Sequence, residues 1–448
     1  MNTNINSNEI KDLLNKISNK DITIGIIGIG YVGLPLAFEF AKNKVKAIGF
    51  DVDEKKVREL NSGNNYIEDL DSGKVRKLVE SGFLRATLDF SELANCDVIF
   101  ICVPTPFTEN KDPDISYIID AAEVISKYIK KHQIIVLKST TFPGTTEKFV
   151  KPILERNGMI AGTDFFLAFS PERIDPGNKK WTTNNTPIIV GGITPDCTNL
   201  ACEVIRLAIE TVVPASSPAI AEMEKLLENI FRSVNIALVN EMAQLCDRIG
   251  INIWEVIEAA STKPFGFMPF YPGPGIGGHC ILIDPYYLEW MAREYDFVTD
   301  FIKLAAEINE DMPYYVTSMV IKEIAKMPVV LKDAQVLLLG MAFKRDVNDI
   351  RHSPALKIAE ILIKEGIENI SYYDPYIPEI TINSKIFKSE SNFTPKLFKN
   401  FDITVITTDH SVFDFNMAAK NSKIIIDTRN ACKNVKERSN IVLLGDGK

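Results

Sequence analysis

Chemistry first suggests itself around Cys280. The residue closes the run Tyr271-Pro272-Gly273-Pro274-Gly275-Ile276-Gly277-Gly278-His279, and Asp284 follows four positions later. Glycine admits positive φ and lets backbone or ligand come close, while proline fixes φ, so the run makes a rigid, irregular, closely approached loop. A thiol mounted there, with a carboxylate nearby, suits a nucleophile whose ionisation is tuned by its surroundings. The same run is compatible with a Pro/Gly turn ahead of a buried, inert cysteine, since free cysteine is among the most buried residue types. This stretch alone leaves both readings open.

A second constellation binds rather than reacts. Gly28, Gly30 and Gly33, with Tyr31 and Val32 between the last two, sit between an apolar run and a helical pattern, and Asp51 lies eighteen positions after Gly33. In that setting the first glycine makes a tight turn, the second lets the backbone approach a pyrophosphate, and the third permits close helix packing. Asp51 then takes the adenosine ribose hydroxyls and repels a 2′-phosphate, so the expected cofactor is NAD rather than NADP. A purely structural turn would leave Asp51 without a purpose. Lys225, Asn229 and Arg232 fall at i, i+4 and i+7, which puts them on one helix face, as a solvated polar stripe or as ligands. The polar turns Lys138-Ser139-Thr140-Thr141 and Ser170-Pro171-Glu172-Arg173 both follow predicted strands, where open α/β sheets bind ligands, and this favours the ligand reading.

The elements that must position these residues can be read from periodicity. A short amphipathic helix over 8–19 precedes a strand over 22–27; a helix over 34–42 and a strand over 46–51 complete a βαβ unit. Further strands are expected at 98–103, 134–137 and 165–168, with a helix over 115–130. A long helix from Pro218 to Ile249 carries Leu226, Leu227, Ile230, Val234, Leu238, Met242 and Leu245 at helical spacing, and Gly250 is its natural stop. Helices continue to about Lys326. A second strand series follows at 335–340, 370–373, 403–406 and 424–426, with a helix over 353–365. The fold class is therefore α/β, with two Rossmann-like doubly wound parallel sheets joined by a helical central domain. The expected boundaries are 1–215 for NAD binding, 216–325 for the helical centre and catalytic loop, and 326–448 for the second Rossmann-like domain. The long helix has more apolar surface than one small domain covers, so a homodimer is expected.

Composition excludes several classes. At 448 residues the chain exceeds one core. No apolar run approaches a membrane span, and the polar first twenty residues lack a signal-peptide core, so a cytoplasmic protein without membrane attachment is expected. The net charge of −9, without a dense basic block, argues against nucleic acid as partner. Seven cysteines scattered singly, without CxxC pairs, argue against a disulfide framework or a zinc ribbon, and no metal is expected.

Taken together, the motifs resemble the UDP-glucose/GDP-mannose dehydrogenase family over essentially the whole chain. The likeness rests on the glycine fingerprint, Val103-Pro104-Thr105-Pro106, Lys138-Ser139-Thr140, Ser170-Pro171-Glu172, Lys225 with Asn229, Gly277-Gly278-His279-Cys280 with Asp284, and Gly340-Met341-Ala342-Phe343-Lys344-Arg345-Asp346. The resemblance implies a four-electron oxidation of a sugar C6 alcohol to a carboxylate, with two NAD used in succession and a UDP-sugar as substrate. It implies that Cys280 holds the C6 aldehyde as a thiohemiacetal and then a thioester. Lys225 and Asn229 would stabilise charge on the C6 oxygen, Asp284 and a water would assist proton removal, and Glu172 near Thr140 would serve in thioester hydrolysis. For the cofactor it implies Gly28, Gly30, Tyr31, Val32, Gly33, Asp51, Lys56, Val103, Thr105, Ser139, Thr140 and Arg351. Lys56 stands where the family often has an arginine, keeping a cation but losing the planar fork. For the substrate it implies Glu172, Lys225, Asn229, Tyr271, Gly275, Gly277 and Lys344, with Arg173 and Arg232 as candidates for an acetamido group or for ordinary surface or salt-bridge roles. His279 and Ile283 replace the serine and lysine usual in glucose-specific members, and the aromatic lead-in Lys263–Tyr271 is similar to the branch oxidising UDP-N-acetylated hexosamines. UDP-N-acetyl-D-glucosamine is the favoured substrate, followed by UDP-N-acetylmannosamine and then UDP-glucose. Two other classes fit these residues less well. A sugar-nucleotide sensor would have no use for Cys280, Lys225 and Asp284 together, and a two-electron dehydrogenase would need no thiol.

Overall fold

A computed structural model describes residues 7–67, 70–108, 112–175, 178, 180–278 and 280–448; for Ser7 and residues 280–283 it describes the backbone alone. The chain divides into two compact units, Met1–Glu228 with Tyr286–Tyr295, and Asn229–Pro285 with Asp296–Lys448. The helical middle contributes to both, because the helix Pro218–Ile249 passes from the first to the second after Glu228.

The first unit is built on Thr23–Ile27 (β1), Lys46–Phe50 (β2), Leu84–Thr87 (β3), Val98–Ile101 (β4), Ile134–Leu137 (β5), Phe166–Phe169 (β6), Ile188–Gly192 (β7) and Val212–Ala215 (β8). Their order is β3-β2-β1-β4-β5-β6-β7-β8. All pairs are parallel except β6 with β7, where two residue pairs run antiparallel. The central strands are unbroken apolar runs because helices cover both sheet faces: every residue of β4 and β5 is fully buried. The order reverses between β1 and β4, so the loops after these strands flank the point where such sheets bind ligands.

The second unit repeats the architecture with Gln335–Leu339 (β9), Asn369–Tyr373 (β10), Ile403–Ile406 (β13), Ile424–Asp427 (β14) and Ile441–Leu443 (β15), in the order β10-β9-β13-β14-β15. Glu379–Ile382 (β11) and Lys385–Lys388 (β12) form a separate hairpin. Its two linking residues, Asn383 and Ser384, both have positive φ (+50° and +64°), the signature of a twist-matched two-residue hairpin turn.

The helices that matter below are Ser7–Ser18 (α1), Gly33–Lys42 (α2), Pro218–Ile249 (α3), Cys280–Ala292 (α4), Asp300–Ile324 (α5) and Pro354–Lys364 (α6). Gly250 ends α3 at φ +76°, the left-handed conformation expected of a helix stop. One side of α3 leaves Met223, Leu227, Phe231, Leu238, Met242, Leu245 and Ile249 exposed by 36–60%. Spaced by three, four or seven residues, they make an apolar stripe that the described residues do not cover.

Candidate functional site

In the first unit the glycine turn leads directly from β1 into α2. Gly28 takes φ +90° and donates its N–H to Phe50 O at 2.7 Å; a Cβ there would meet Cys102 O at 2.6 Å. A Cβ on Gly33 would run into the Gly28 carbonyl, while one on Gly30 would meet nothing within 4 Å. The turn is thus closed behind and open in front. Val32 precedes α2 without any side-chain cap, which leaves the positive end of the helix for an anion. Asp51 is 8% exposed; it accepts from Ile29 N and Asp53 N at 3.1 and 3.0 Å and pairs with Lys56 Nζ at 3.4 Å. Tyr31 is half exposed beside this turn. The open front, the uncapped helix and the acid at the end of β2 fit a dinucleotide.

Across the switch point, Ser139 Oγ donates to Val103 O at 2.7 Å and holds the turn after β4 to the turn after β5. Tyr287, fully buried in the later part of α4, donates its hydroxyl to Thr105 O. Neither link was visible as a role in sequence. The signal for Tyr287 was only its place three residues after Asp284, and its partner is 182 residues away. Thr140 is partly exposed next to them.

Lys138 is 1% exposed, donates to Pro171 O at 3.2 Å and lies 3.4 Å from Glu172 Oε2. Glu172 Oε1 accepts from the backbone N–H groups of Arg173 and Ile174, both at 2.8 Å; its buried Oε2 accepts no hydrogen bond among the described residues. The carboxylate is therefore aimed, with one oxygen paired to a buried cation and left for another donor. Arg173 lies between Glu224 and Glu228 and donates to Pro187 O at 2.7 Å, so the structure shows it in an internal ion-pair cluster. Burial and the adjoining Glu228 carboxylate push Glu224 up to about 7, while Arg173 keeps Glu228 low against its own burial. Glu222, fully buried on α3, accepts from Gly144 N at 2.6 Å and from Thr146 N and Oγ1 at 2.9 and 2.7 Å. Burial raises its pKa. This acid, unremarked in sequence, pins the segment that follows Thr140. Lys225 is 6% exposed on the next turn, and among the described residues its ammonium makes no hydrogen bond and no ion pair. Its charge is felt by Glu224 and Glu228, both of whose carboxyls it pulls down.

In the second unit Asn229 is fully buried on α3 and donates its amide N–H to Oδ2 of Asp284, which is 2% exposed. Arg232 donates to Asn229 Oδ1 at 2.5 Å. That bond fixes the amide with its oxygen toward the guanidinium, so its NH2 group must face the carboxylate. Asp284 is one helical turn along α4 from Cys280, which opens the helix; the Cys280 side chain and His279 lie outside the described residues, as does the Ile283 side chain.

The glycine loop ahead of Cys280 is seated on the second unit's own loops. Gly273 N donates to Asn240 Oδ1 at 2.9 Å, and Asn240 in turn bonds Asn309 Oδ1 at 2.9 Å. Gly275 has φ +130°, and a Cβ there would meet Asn309 O, Pro313 and Pro354 at 3.3–3.4 Å. A Cβ on Gly277 would meet Phe343 Cβ at 2.6 Å and His352 O at 3.0 Å; one on Gly278, at φ +84°, would meet the Phe343 ring at 2.9 Å. Gly278 N donates to Arg351 O at 2.9 Å, while the Arg351 guanidinium is bound by Asp349, Nη2 to Oδ2 at 2.6 Å. Arg351 belongs to the second unit and the nucleotide turn to the first. Tyr271 is half exposed and stacks on Trp254 at 5.9 Å between centroids. Lys344 is partly buried in the loop after β9. The six cysteines with described side chains are all free and buried, and burial pushes Cys96 and Cys102 up to about 12. Among the described residues no helix is long and apolar enough to cross a membrane, and no acidic, histidine or cysteine cluster could hold a metal.

Fold and site define a nucleotide-sugar dehydrogenase, and the chain belongs to the UDP-glucose/GDP-mannose dehydrogenase family. The family's NAD binding domain matches residues 22–209, its central domain 219–311 and its UDP binding domain 337–434. It is thus an NAD-dependent oxidoreductase acting on a UDP-sugar. It is similar to UDP-N-acetyl-D-glucosamine 6-dehydrogenase of Pseudomonas aeruginosa, 35% identical over 90% of this chain and 93% of that one. It is also similar to NDP-N-acetyl-D-galactosaminuronic acid dehydrogenase of Ralstonia nicotianae, 33% identical over 91% and 95%. The solved UDP-D-ManNAc dehydrogenase of Pyrococcus horikoshii superposes with a TM-score of 0.87 at 32% identity, covering 95% of this chain and all of that one.

Proposed function

We propose that the chain oxidises the C6 alcohol of a UDP-N-acetylhexosamine, UDP-N-acetyl-D-glucosamine first, to the uronic acid, in the cytoplasm and for a surface polysaccharide. The observation carrying the chemistry is the buried Arg232–Asn229–Asp284 chain one turn from Cys280. His279 and Ile283 and the aromatic lead-in favour an acetamido sugar, as do the relatives named for such sugars.

The glycine turn with Asp51 would hold NAD, whose chemistry when bound would be that of the hydride acceptor for both oxidations of C6. The chain's residues do the rest. Cys280 adds to the C6 aldehyde as a thiohemiacetal, which keeps the aldehyde from escaping, and the second oxidation leaves a thioester that water can split. The Lys225 ammonium and the Asn229 NH2 group stabilise charge on the C6 oxygen, and Asp284 with a water takes its proton. Glu172, fixed through Oε1, orients the hydrolytic water with Oε2, beside Thr140. Gly28, Gly30, Tyr31, Val32, Gly33, Asp51, Lys56, Val103, Thr105, Ser139 and Thr140 hold NAD. Tyr271, Gly275, Gly277 and Lys344 hold the substrate, Arg351 reaches the cofactor phosphates, and Arg173 and Arg232 serve the acetamido group through the side chains they align. We divide the labour as 1–215, 216–325 and 326–448. The exposed stripe on α3 supports a homodimer; Leu227→Glu with Leu238→Glu should shift the mass measured by light scattering to that of one chain.

Purified protein given each UDP-sugar with NAD, while reduced cofactor is followed by absorbance, tests the substrate. Turnover of UDP-glucose without the acetamido sugars would overturn the choice. Cys280→Ser should abolish acid formation, and full retention would refute the covalent route. One reduced NAD per sugar, rather than two, would point to a two-electron enzyme.

A further inference from the structure

The second unit repeats the nucleotide turn of the first and then closes it. Gly340, at φ +86°, donates its N–H to Tyr373 O at 2.9 Å, as Gly28 does to Phe50 O. A Cβ on Gly340 would meet Thr408 O at 2.6 Å, the counterpart of Cys102 O. The acid after β10, Asp374, accepts from Met341 N and Ala342 N at 2.6 and 3.0 Å, as Asp51 accepts from Ile29 N. The two acids then part company. Asp51 has Lys56 beside it, whereas Oδ2 of the buried Asp374 faces His410 Nε2 at 3.1 Å and is shut off from any ribose.

His410 is fully buried, with Tyr376 and Phe413 packed edge-on to its ring at 5.0 and 5.2 Å. Its Nδ1 accepts the Asp346 N–H at 3.0 Å. A ring nitrogen that accepts carries no proton, so Nε2 bears it and donates to Asp374; the imidazole is a neutral bridge. Its neighbours reinforce the link. Thr408 Oγ1 donates to Ala342 O at 2.5 Å, Arg345 pairs with Asp409, and Ser411 N donates to Asp346 Oδ1 at 2.8 Å. The loop after β9 is therefore stitched to the loop after β13, the pair of strands where the order reverses and ligands bind. Asp346 sits at φ +58°, a conformation a non-glycine residue keeps when its surroundings fix it.

We propose that His410 is a positioning residue for recognition of the nucleoside diphosphate. Through Nδ1 it holds the Asp346 N–H, and with it the loop that carries Lys344. Asp374, in the place of a ribose-binding acid, anchors the imidazole. This rests on the reading that the Lys344 loop meets the UDP part of the substrate.

The test is calorimetric binding of UDP to the full chain as wild type, Lys344→Ala, His410→Asn and His410→Gln, with binding of reduced cofactor and thermal melting in parallel. The asparagine amide falls near Nδ1 and keeps an acceptor for Asp346, while the glutamine amide reaches Nε2 and keeps only the donor to Asp374. Lys344→Ala and His410→Gln should each weaken UDP about tenfold or more, and His410→Asn by less than about threefold, with cofactor affinity unchanged. UDP binding by His410→Gln at wild-type strength, with Lys344→Ala weakened, would overturn the proposal. Equal weakening by both His410 variants would do so too, since it would mark general packing. If Lys344→Ala bound UDP as the wild type does, the underlying reading of the loop would fall instead.

Discussion

Gly278→Ala tests whether the loop ahead of Cys280 is held by steric fit. Two costs follow from the geometry. At φ +84° an alanine pays a left-handed penalty of about 1 kcal/mol, and its Cβ would sit 2.9–3.2 Å from three Phe343 ring atoms, an overpacking worth about 1–3 kcal/mol. The unit has to shift the ring or the loop, and a displacement of about 1 Å two residues before the nucleophile should lower kcat on the order of a hundredfold. Phe343→Ala separates the terms. It removes the ring, so in the double variant the packing cost should vanish, leaving a coupling of about 1–3 kcal/mol in a denaturation cycle. Gly277→Ala is the control, because its Cβ would meet Phe343 Cβ, His352 O and Pro354 Cδ at 2.6, 3.0 and 3.0 Å. Alanine at 343 retains that Cβ, so no rescue is expected. Equal rescue of both glycine variants, or wild-type turnover by Gly278→Ala alone, would refute the reasoning.

Asp51→Ala should raise the KM for NAD at least tenfold, about 1.4 kcal/mol, and leave the KM for the UDP-sugar within about twofold; steady-state kinetics with each varied in turn checks it. Glu224, pushed up to about 7 from an ordinary 4.5, contributes stability that is complete below pH 4.5 and lost as pH rises through 7. Glu224→Gln should therefore flatten the fall in melting stability between pH 5 and pH 8, by about 1–2 kcal/mol after allowing for its partial exposure, and an unchanged slope would count against the cluster. The six cysteines with described side chains are buried, so alkylation of the folded protein at pH 7.5 followed by mass mapping should find modification at Cys280 and protection by substrate; labelling spread over Cys96, Cys102 and Cys432 would contradict their burial.

What was legible in sequence follows from what each residue must satisfy alone. A strand covered on both faces is apolar throughout, so 134–137, 403–406 and the helix 218–249 were readable to the residue. Leu84–Thr87 lies at a sheet edge and alternates buried with exposed, and it was missed. The β11–β12 hairpin was missed as well, although Asn383-Ser384 after the alternating Glu379–Ile382 carried a turn signal. Lys225, Asn229 and Arg232 were singled out by spacing, because a helix turns spacing into a shared face, and Asp284 by its place four positions after Cys280. The bonds of Glu222 to Gly144 and of Tyr287 to Thr105 were not, since they join residues 78 and 182 positions apart and have no local signature. Arg173 and Arg232 show the limit most clearly: sequence left both open between an acetamido contact and a salt-bridge role, and both have guanidiniums bonded inside the fold.

The recurrence of one turn in both units shows why a fold and its ligand are separable. Gly28 and Gly340 share a positive φ and the same crowding, a carbonyl oxygen of the adjoining loop where a Cβ would sit, and in both turns an acid at the end of the second strand collects the N–H groups that follow the glycine. That much is structural and needs no ligand. What distinguishes the halves is the second neighbour of the carboxylate: a partly exposed lysine at Asp51 leaves the acid beside an open turn, while a buried histidine at Asp374 fills the same place with protein. The presence of an acid at that point in a Rossmann-like unit is thus weak evidence for a ribose. The group that faces it from across the switch point decides between a binding acid and an anchoring one.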